Sequence, residues 1–134
     1  LFAPVAARLH RGEPLANLGN FIDDPIQLDN PGWSSLSGNA WNATIMLVDR
    51  YGNLITALPG SEVDAKRIHG TLHGQPCGSL VTTFSSLPPG QPGLVVGGFG
   101  TVEVIVNQES AERRFHAQPG DRVLFSEGGW WGET

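Results

Sequence analysis

Apolar positions come in short bursts separated by polar or glycine-containing breaks, and the densest burst runs from Ile45 to Leu58. It reads Ile-Met-Leu-Val, then Asp49-Arg50-Tyr51-Gly52-Asn53, then Leu-Ile-Thr-Ala-Leu. An uninterrupted apolar run of this length predicts a strand covered on both faces, and the second run predicts another. The pentapeptide between them predicts a tight connection. Gly52 can supply a positive φ there, and Asn53 tolerates one. A carboxylate, an aromatic ring and an amide are thereby set within five residues at the edge of a rigid scaffold, a common way to build a small-molecule site.

The same pattern places further elements along the chain. Leu1 to His10 predicts a short helix with Phe2, Val5, Ala6 and Leu9 on one face, ended by Gly12 and Pro14. Leu15 to Gly38 is rich in Asp, Asn, Pro, Gly and Ser and predicts a connector, with one short strand near Ile26 to Leu28 and a domain boundary inside it. Strands are predicted over Asn42–Val48, Leu54–Leu58, Val63–Leu72, Gly78–Phe84, Leu94–Val96, Thr101–Val106 and Arg122–Phe125. In the third of these Lys66, Arg67 and His69 would face water. His73-Gly74-Gln75-Pro76 predicts a turn, Gly97-Gly98-Phe99-Gly100 a sharp connection, and Ser110 to Phe115 one helical turn. Val102, Val104 and Val106 alternate against Thr101, Glu103 and Ile105, the clearest strand pattern in the chain. Short strands punctuated by turns predict a mostly β fold. We therefore expect residues 1–38 to be a helix and irregular linker, and residues 39–134 an antiparallel β-barrel.

Composition supports that class. The 134 residues suffice for one domain with a real core, and 18 Gly and 10 Pro favour turns over long helices. The formal net charge of -5 disfavours nucleic acid as a partner. No apolar run reaches the ~18 residues of a membrane-spanning helix, and no basic segment leads into an apolar one as in a signal peptide. Cys77 is the only cysteine, which fits a reducing compartment and a cytoplasmic location. The chain starts without Met, inside a predicted helix, and so reads as part of a longer protein.

The candidate chemistry gathers around the opening stretch. Asp49 suits two roles equally: bonding its own turn, or accepting hydrogen bonds from a ligand ammonium. Asn53 presents a donor and an acceptor side by side, as a purine edge requires, or serves a left-handed turn. Tyr51 suits stacking on a planar ligand. Gly97 to Gly100 is no phosphate loop, since no helix start or Lys follows it; it suits close approach of a ligand or neighbour, which makes Gly98 and Phe99 candidate contacts. His69 and His73 stand four apart among glycines, a poor metal spacing outside a helix, and no metal is expected. No catalytic nucleophile–base pair is apparent. Trp130-Trp131 suits sugar binding or packing against another subunit.

Asp49-Arg50-Tyr51-Gly52-Asn53-Leu54-Ile55-Thr56 resembles the Asp-Arg-Phe-Gly-Asn-Leu-Ile-Thr stretch of the S-adenosylmethionine (SAM) hydroxide adenosyltransferases, relatives of the fluorinase and chlorinase. Three more segments agree in order. Phe2-Ala3-Pro4-Val5-Ala6-Ala7 is similar to the start of the last helix of that family's N-terminal domain. Gly100 to Ala111, with Val102-Glu103-Val104 and Val106-Asn107 ahead of Ser110-Ala111, resembles its Gly-x-Leu-Glu-Ile-Ala-Val-Asn-x-Gly-Ser-Ala segment. Gly120-Asp121 fits the Gly-Asp before the last strand.

The resemblance implies the C-terminal barrel half of a SAM-hydrolysing enzyme. Such enzymes form adenosine and methionine by in-line attack of water or hydroxide on the ribose 5′ carbon. It implies SAM as substrate with no cofactor, a site shared with the N-terminal domain of a neighbouring subunit, and a homotrimer. It assigns Asp49 to the methionine amino group and Asn53 to the adenine edge. Tyr51 and Phe84 would line the adenine pocket, and the backbone near Asn107 and Gln108 would meet the other adenine edge. Gly98 stands where the halogenases carry a methionine-contacting Ser, Ala57 where an Asn is usual, and Glu109 where a Gly is usual. The family's catalytic Asp, Arg and His belong to the N-terminal domain, so this chain alone is expected to be inactive. Two other functions fit the residues: a non-enzymatic barrel that binds a nucleoside or other small ligand, and an assembly module built on Trp130 and Trp131.

Overall fold

The computed structural model describes residues 2–26, 32–63 and 67–128. Helix α1 (Phe2–His10) is followed by irregular chain and then by strands β1 (Trp33–Leu36), β2 (Ala40–Val48), β3 (Leu54–Pro59), β4 (Ile68–Leu72), β5 (Gln75–Ser79), β6 (Pro92–Val96) and β7 (Thr101–Val106). Helix α2 (Ala111–Phe115) and strand β8 (Arg122–Glu127) complete the order. Seven strands lie side by side as β5-β4-β8-β2-β3-β7-β6, and β1 adds onto β2. Every named pairing is antiparallel. A parallel bridge from Leu80 to Leu94 brings the chain just after β5 against β6, so the sheet curls into a nearly closed barrel. Closure explains the core: residues on one face of each strand point inward, and Ile45, Leu54, Leu72, Leu94, Val104 and Phe125 are enclosed. The mostly β, barrel-like architecture expected from the residues is the one observed.

Several elements differ from expectation, each for a physical reason. The stretch taken as a connector contains β1, whose residues pair from Trp33↔Ala43 to Leu36↔Ala40; one apolar residue at each end of a polar pair gave no pattern to read. Ile26 lies in irregular chain, and Gln27 and Leu28 are outside the described residues. The strand expected from Val63 starts only at Ile68, because Val63 closes a 3-10 turn over Gly60–Glu62. Arg67 is exposed and His69 half-buried; Lys66 lies outside the described residues. The turn expected over four residues is tighter. His73 and Gly74 both take positive φ in a two-residue hairpin loop, and Gln75 and Pro76 already belong to β5.

The strand expected over Gly78–Phe84 is shifted, and only Gly78 and Ser79 of it are in a strand. β5 ends at Ser79, and Phe84–Ser86 forms a 3-10 turn. The N–H groups of Leu80 and Val81 donate to Ile68 and Leu94, on two different strands, so the chain crosses the barrel seam instead of extending one edge. β2 is not covered on both faces either. Met46 and Leu47 are 45% and 40% exposed, and the β2–β3 register slips between Ile45 and Leu47. Trp130 and Trp131 lie outside the described residues. Among the described residues no helix is long and apolar enough to cross a membrane.

Candidate functional site

The Asp49–Asn53 connection is a self-bonded turn. Asp49 Oδ1 accepts the N–H of Tyr51 at 2.8 Å and the N–H of Asn53 at 2.9 Å. Its Oδ2 accepts Asn53 Nδ2 at 2.8 Å. The backbone closes the same loop, with Asp49 N–H donating to Asn53 O and Gly52 N–H to Asp49 O. Partial burial pushes the Asp49 carboxyl up, but the hydrogen bonds from Asn53, Tyr51 and Gly52 outweigh it and hold the group below its ordinary value. Of the two roles open to Asp49, bonding its own turn is the one occupied in the structure. Asn53 is 6% exposed, and with Nδ2 committed to Asp49 its Oδ1 has no partner among the described residues.

This turn docks on the start of α2. Gly52 has a φ of 85°, and a Cβ built there would stand 2.1 Å from Ser110 Oγ. Gly52 O accepts the N–H of Glu112. Ser110 caps α2, its Oγ accepting Arg113 N–H at 3.1 Å. Next to the turn, the Arg50 guanidinium carbon lies 4.7 Å from the centre of the Tyr51 ring, and Arg50 Nη2 also donates to the Tyr51 hydroxyl.

Between the turn, α2 and the Phe84 segment opens a cleft of about 490 Å³. Tyr51, Asn53, Phe84 and Gln108, all predicted from sequence, line it together with Val106, Glu109, Ser110 and Arg113. A second cleft of about 300 Å³ adjoins it, sharing Tyr51, Ser110 and Arg113 and adding Asp49. The remaining predicted residues lie elsewhere. Asn107 Nδ2 donates to Leu87 O at 2.6 Å, and its backbone bonds Gly90 and Gln91, so Asn107 pins the 87–91 loop. Gly98 and Phe99 form the β6–β7 turn and line neither cleft; Phe99 is 74% exposed. Among the described residues no three His, Cys, Asp or Glu side chains are grouped to hold a metal.

Sequence reasoning passed over Ser110, Arg113 and Glu103 as site residues. A Ser directly before Ala-Glu-Arg-Arg is a helix-start signal that could have placed α2's first turn at the site. Glu103 offered no such signal, because alternation only set it with Thr101 and Ile105 opposite the three valines. It is 7% exposed, lying between Ile55 of β3 and Val95 of β6. Burial, and then the charge of Asp49, raise its pKa above the ordinary value.

Residues 43–124, more than half of the chain, match the family model of the SAM hydroxide adenosyltransferase C-terminal domain. The chain is 32% identical to a protein of Salinispora tropica and 30% identical to one of Salinispora arenicola, both named (R)-S-adenosyl-L-methionine hydrolase. Each alignment covers 96% of this chain and 49% of the relative, so the chain spans about half the length of the curated relatives it matches. An uncharacterized conserved protein from Thermotoga maritima shares the fold with a TM-score of 0.71 at 22% identity, over 94% of this chain and 50% of that one. A conserved hypothetical protein from Thermus thermophilus matches with a TM-score of 0.60 at 27% identity, over 92% of this chain and 50% of that one.

Proposed function

Since the chain belongs to the SAM hydroxide adenosyltransferase C-terminal domain family, we propose that it is the adenosine-holding half of an enzyme that splits SAM with water into adenosine and methionine. The names of the two Salinispora relatives support that substrate. The observation that carries the reading is the convergence of Tyr51, Asn53, Phe84 and Gln108 on one cleft. Its volume of about 490 Å³ falls in the range of small-molecule sites. The Tyr51 and Phe84 rings offer flat apolar surface to a base, a contact worth about 1–3 kcal/mol.

Asn53 then sets which base. Its free polar atom is an acceptor, which suits the 6-amino group of adenine and repels the 6-oxo group of hypoxanthine. Asn107 has its backbone committed, so contact with the other adenine edge falls to Gln108.

In this role the chain contributes positioning. Holding the adenosyl group in line with an attacking water lowers the barrier entropically. Methionine leaves as a neutral thioether, so the barrel need supply no general acid. The attacking water would be held by a second domain, contributed by a neighbouring subunit in a homotrimer, and the chain alone binds without turnover. A cytoplasmic location goes with a substrate made and used inside cells.

The test is calorimetric titration of the chain with adenosine and with inosine. Adenosine is expected to bind at least about tenfold tighter than inosine, and Asn53→Ala to weaken adenosine by about 1–3 kcal/mol and erase the preference. Equal affinities in the parent chain would return Asn53 to a turn role only.

A further inference from the structure

Asn107, directly after β7, holds the loop that follows Phe84 by three hydrogen bonds. Its Nδ2 donates to Leu87 O at 2.6 Å, its N–H donates to Gln91 O at 3.0 Å, and its carbonyl accepts the N–H of Gly90 at 2.8 Å. The last two are backbone bonds that any residue but proline could make there. The first needs a side-chain donor of this reach. Leu87 is also where the loop packs: a Cβ on Gly93 of β6 would stand 2.6 Å from Leu87 Cδ1, so the Leu87 side chain lies directly on the strand backbone. Leu87 is thereby tied to β6 through its side chain and to the end of β7 through its carbonyl.

Phe84 has no such tie of its own. Among the described residues, every hydrogen bond of residues 82–86 stays within residues 83–87, and residues 82–86 are all exposed. Ser86 N–H donates to Thr83 O and Leu87 N–H to Phe84 O, while the Thr83 hydroxyl pairs with those of Ser85 and Ser86. The segment is fixed at its start by the Leu80 and Val81 bonds to Ile68 and Leu94, and at its end by Leu87. The place of the Phe84 ring therefore follows Leu87, and the Leu87 carbonyl follows the Asn107 amide. Across the cleft, Asn107 stands between Val106 and Gln108, which both line it. Gln108 takes a φ of 63°, a left-handed conformation closed by the bridge between Val106 and Glu109.

We propose that Asn107 is a positioning residue: it sets the Phe84 wall of the cleft against the Gln108 wall at the spacing a flat base needs, and does not itself touch the ligand. The inference rests on the nucleoside reading of the cleft. With the amide bond in place the ring is ready to stack. Without it, binding must also order the 82–87 segment, and that ordering weakens affinity.

The experiment is calorimetric titration of adenosine and of inosine into the parent chain, Asn107→Asp, Phe84→Ala and the double variant. Asn107→Asp keeps the size of the side chain but sets an acceptor against Leu87 O. It is expected to weaken adenosine about tenfold and inosine by the same factor, so the preference set by Asn53 stays as in the parent. In the Phe84→Ala background the same substitution should cost less than about twofold, because Asn107 acts through the ring. An equal loss in both backgrounds is what a merely structural role gives, and it overturns the proposal. A changed adenosine-to-inosine ratio overturns it by assigning Asn107 to the base itself. Parental affinity in Asn107→Asp overturns it while leaving the nucleoside cleft intact. A parent chain that binds no adenosine, or a Phe84→Ala that binds it as the parent does, overturns the cleft reading and this inference together.

A measurement on the parent alone covers a variant that does not fold. Hydrogen exchange of the Asn107 Nδ2 protons, followed by NMR, should slow about fivefold or more at saturating adenosine, since a ligand that needs the closed latch suppresses its opening. Exchange that adenosine leaves unchanged overturns the proposal.

Discussion

Gly52→Ala is expected to destabilise the chain by about 2–5 kcal/mol and to remove adenosine binding with it. Two costs add. Alanine at a φ of 85° adopts a left-handed conformation, worth about 1–2 kcal/mol against it. The new methyl also meets Ser110, with Oγ at 2.1 Å, Cβ at 2.7 Å and Cα at 3.1 Å. A hydroxyl could rotate away, but a backbone carbon in the cap of α2 cannot, and overpacking of this kind costs about 1–3 kcal/mol. Relief requires the turn to separate from α2, which pulls Tyr51 and Asn53 away from Ser110 and Arg113 across the cleft. Gly98→Ala is the matched control: nothing lies within 4 Å of a Cβ there, and the expected change is within about 0.5 kcal/mol. Urea denaturation of the two variants checks this; a Gly52→Ala midpoint equal to that of Gly98→Ala would contradict the docked turn.

Asp49→Ala is expected to cost about 2–4 kcal/mol, because it frees the N–H groups of Tyr51 and Asn53 and the Asn53 amide together. The effect should depend on pH in a defined sense. The Asp49 carboxyl is held below its ordinary value, so the stability it contributes is present above the unfolded pKa and is lost as pH falls through the folded one. The gap between parent and Asp49→Ala in urea midpoint should therefore be full at pH 7 and narrow in acid below about pH 4. Adenosine affinity should fall too, although adenosine has no ammonium for Asp49 to hold. The loss comes through Asn53, whose orientation Asp49 fixes. A variant with parental adenosine affinity would show that Asn53 keeps its place unaided.

The residues around the opening turn were readable because local chemistry decides them. A glycine that needs positive φ and an Asp that can bond two residues ahead specify the Asp49–Asn53 loop before any tertiary contact forms. Strand β7 was equally legible, its bounds matching the β-branched alternation from Thr101 to Val106. What failed was decided at a distance. Val81, Thr82 and Thr83 have strand propensity, yet their segment joins two strands across the seam, and hydrogen bonds to Ile68 and Leu94 override it. The burial of Glu103 was not legible either, since nothing in the alternation shows that Gly97 folds against it. The lining of the candidate cleft was legible in the same uneven way. Tyr51, Asn53, Phe84 and Gln108 meet in the cleft, while Asn107 braces a loop and Gly98 and Phe99 lie at a turn outside it.

That uneven legibility also bears on the family resemblance. A local motif carries over the turn that holds Asn53, since the motif and the turn are the same residues. For Asp49 the structure shows the turn role alone, its oxygens accepting three hydrogen bonds within that loop.

We propose the Tyr51–Asn53–Phe84 cleft as the nucleoside site. Titration of the isotopically labelled chain with adenosine, followed by amide NMR, tests it most directly. Saturable shifts are expected at Tyr51 to Asn53, around Phe84 and from Val106 to Ser110, with the Leu15–Ile22 concavity unchanged. Shifts confined to that concavity, or no shifts at saturating adenosine, would contradict the account.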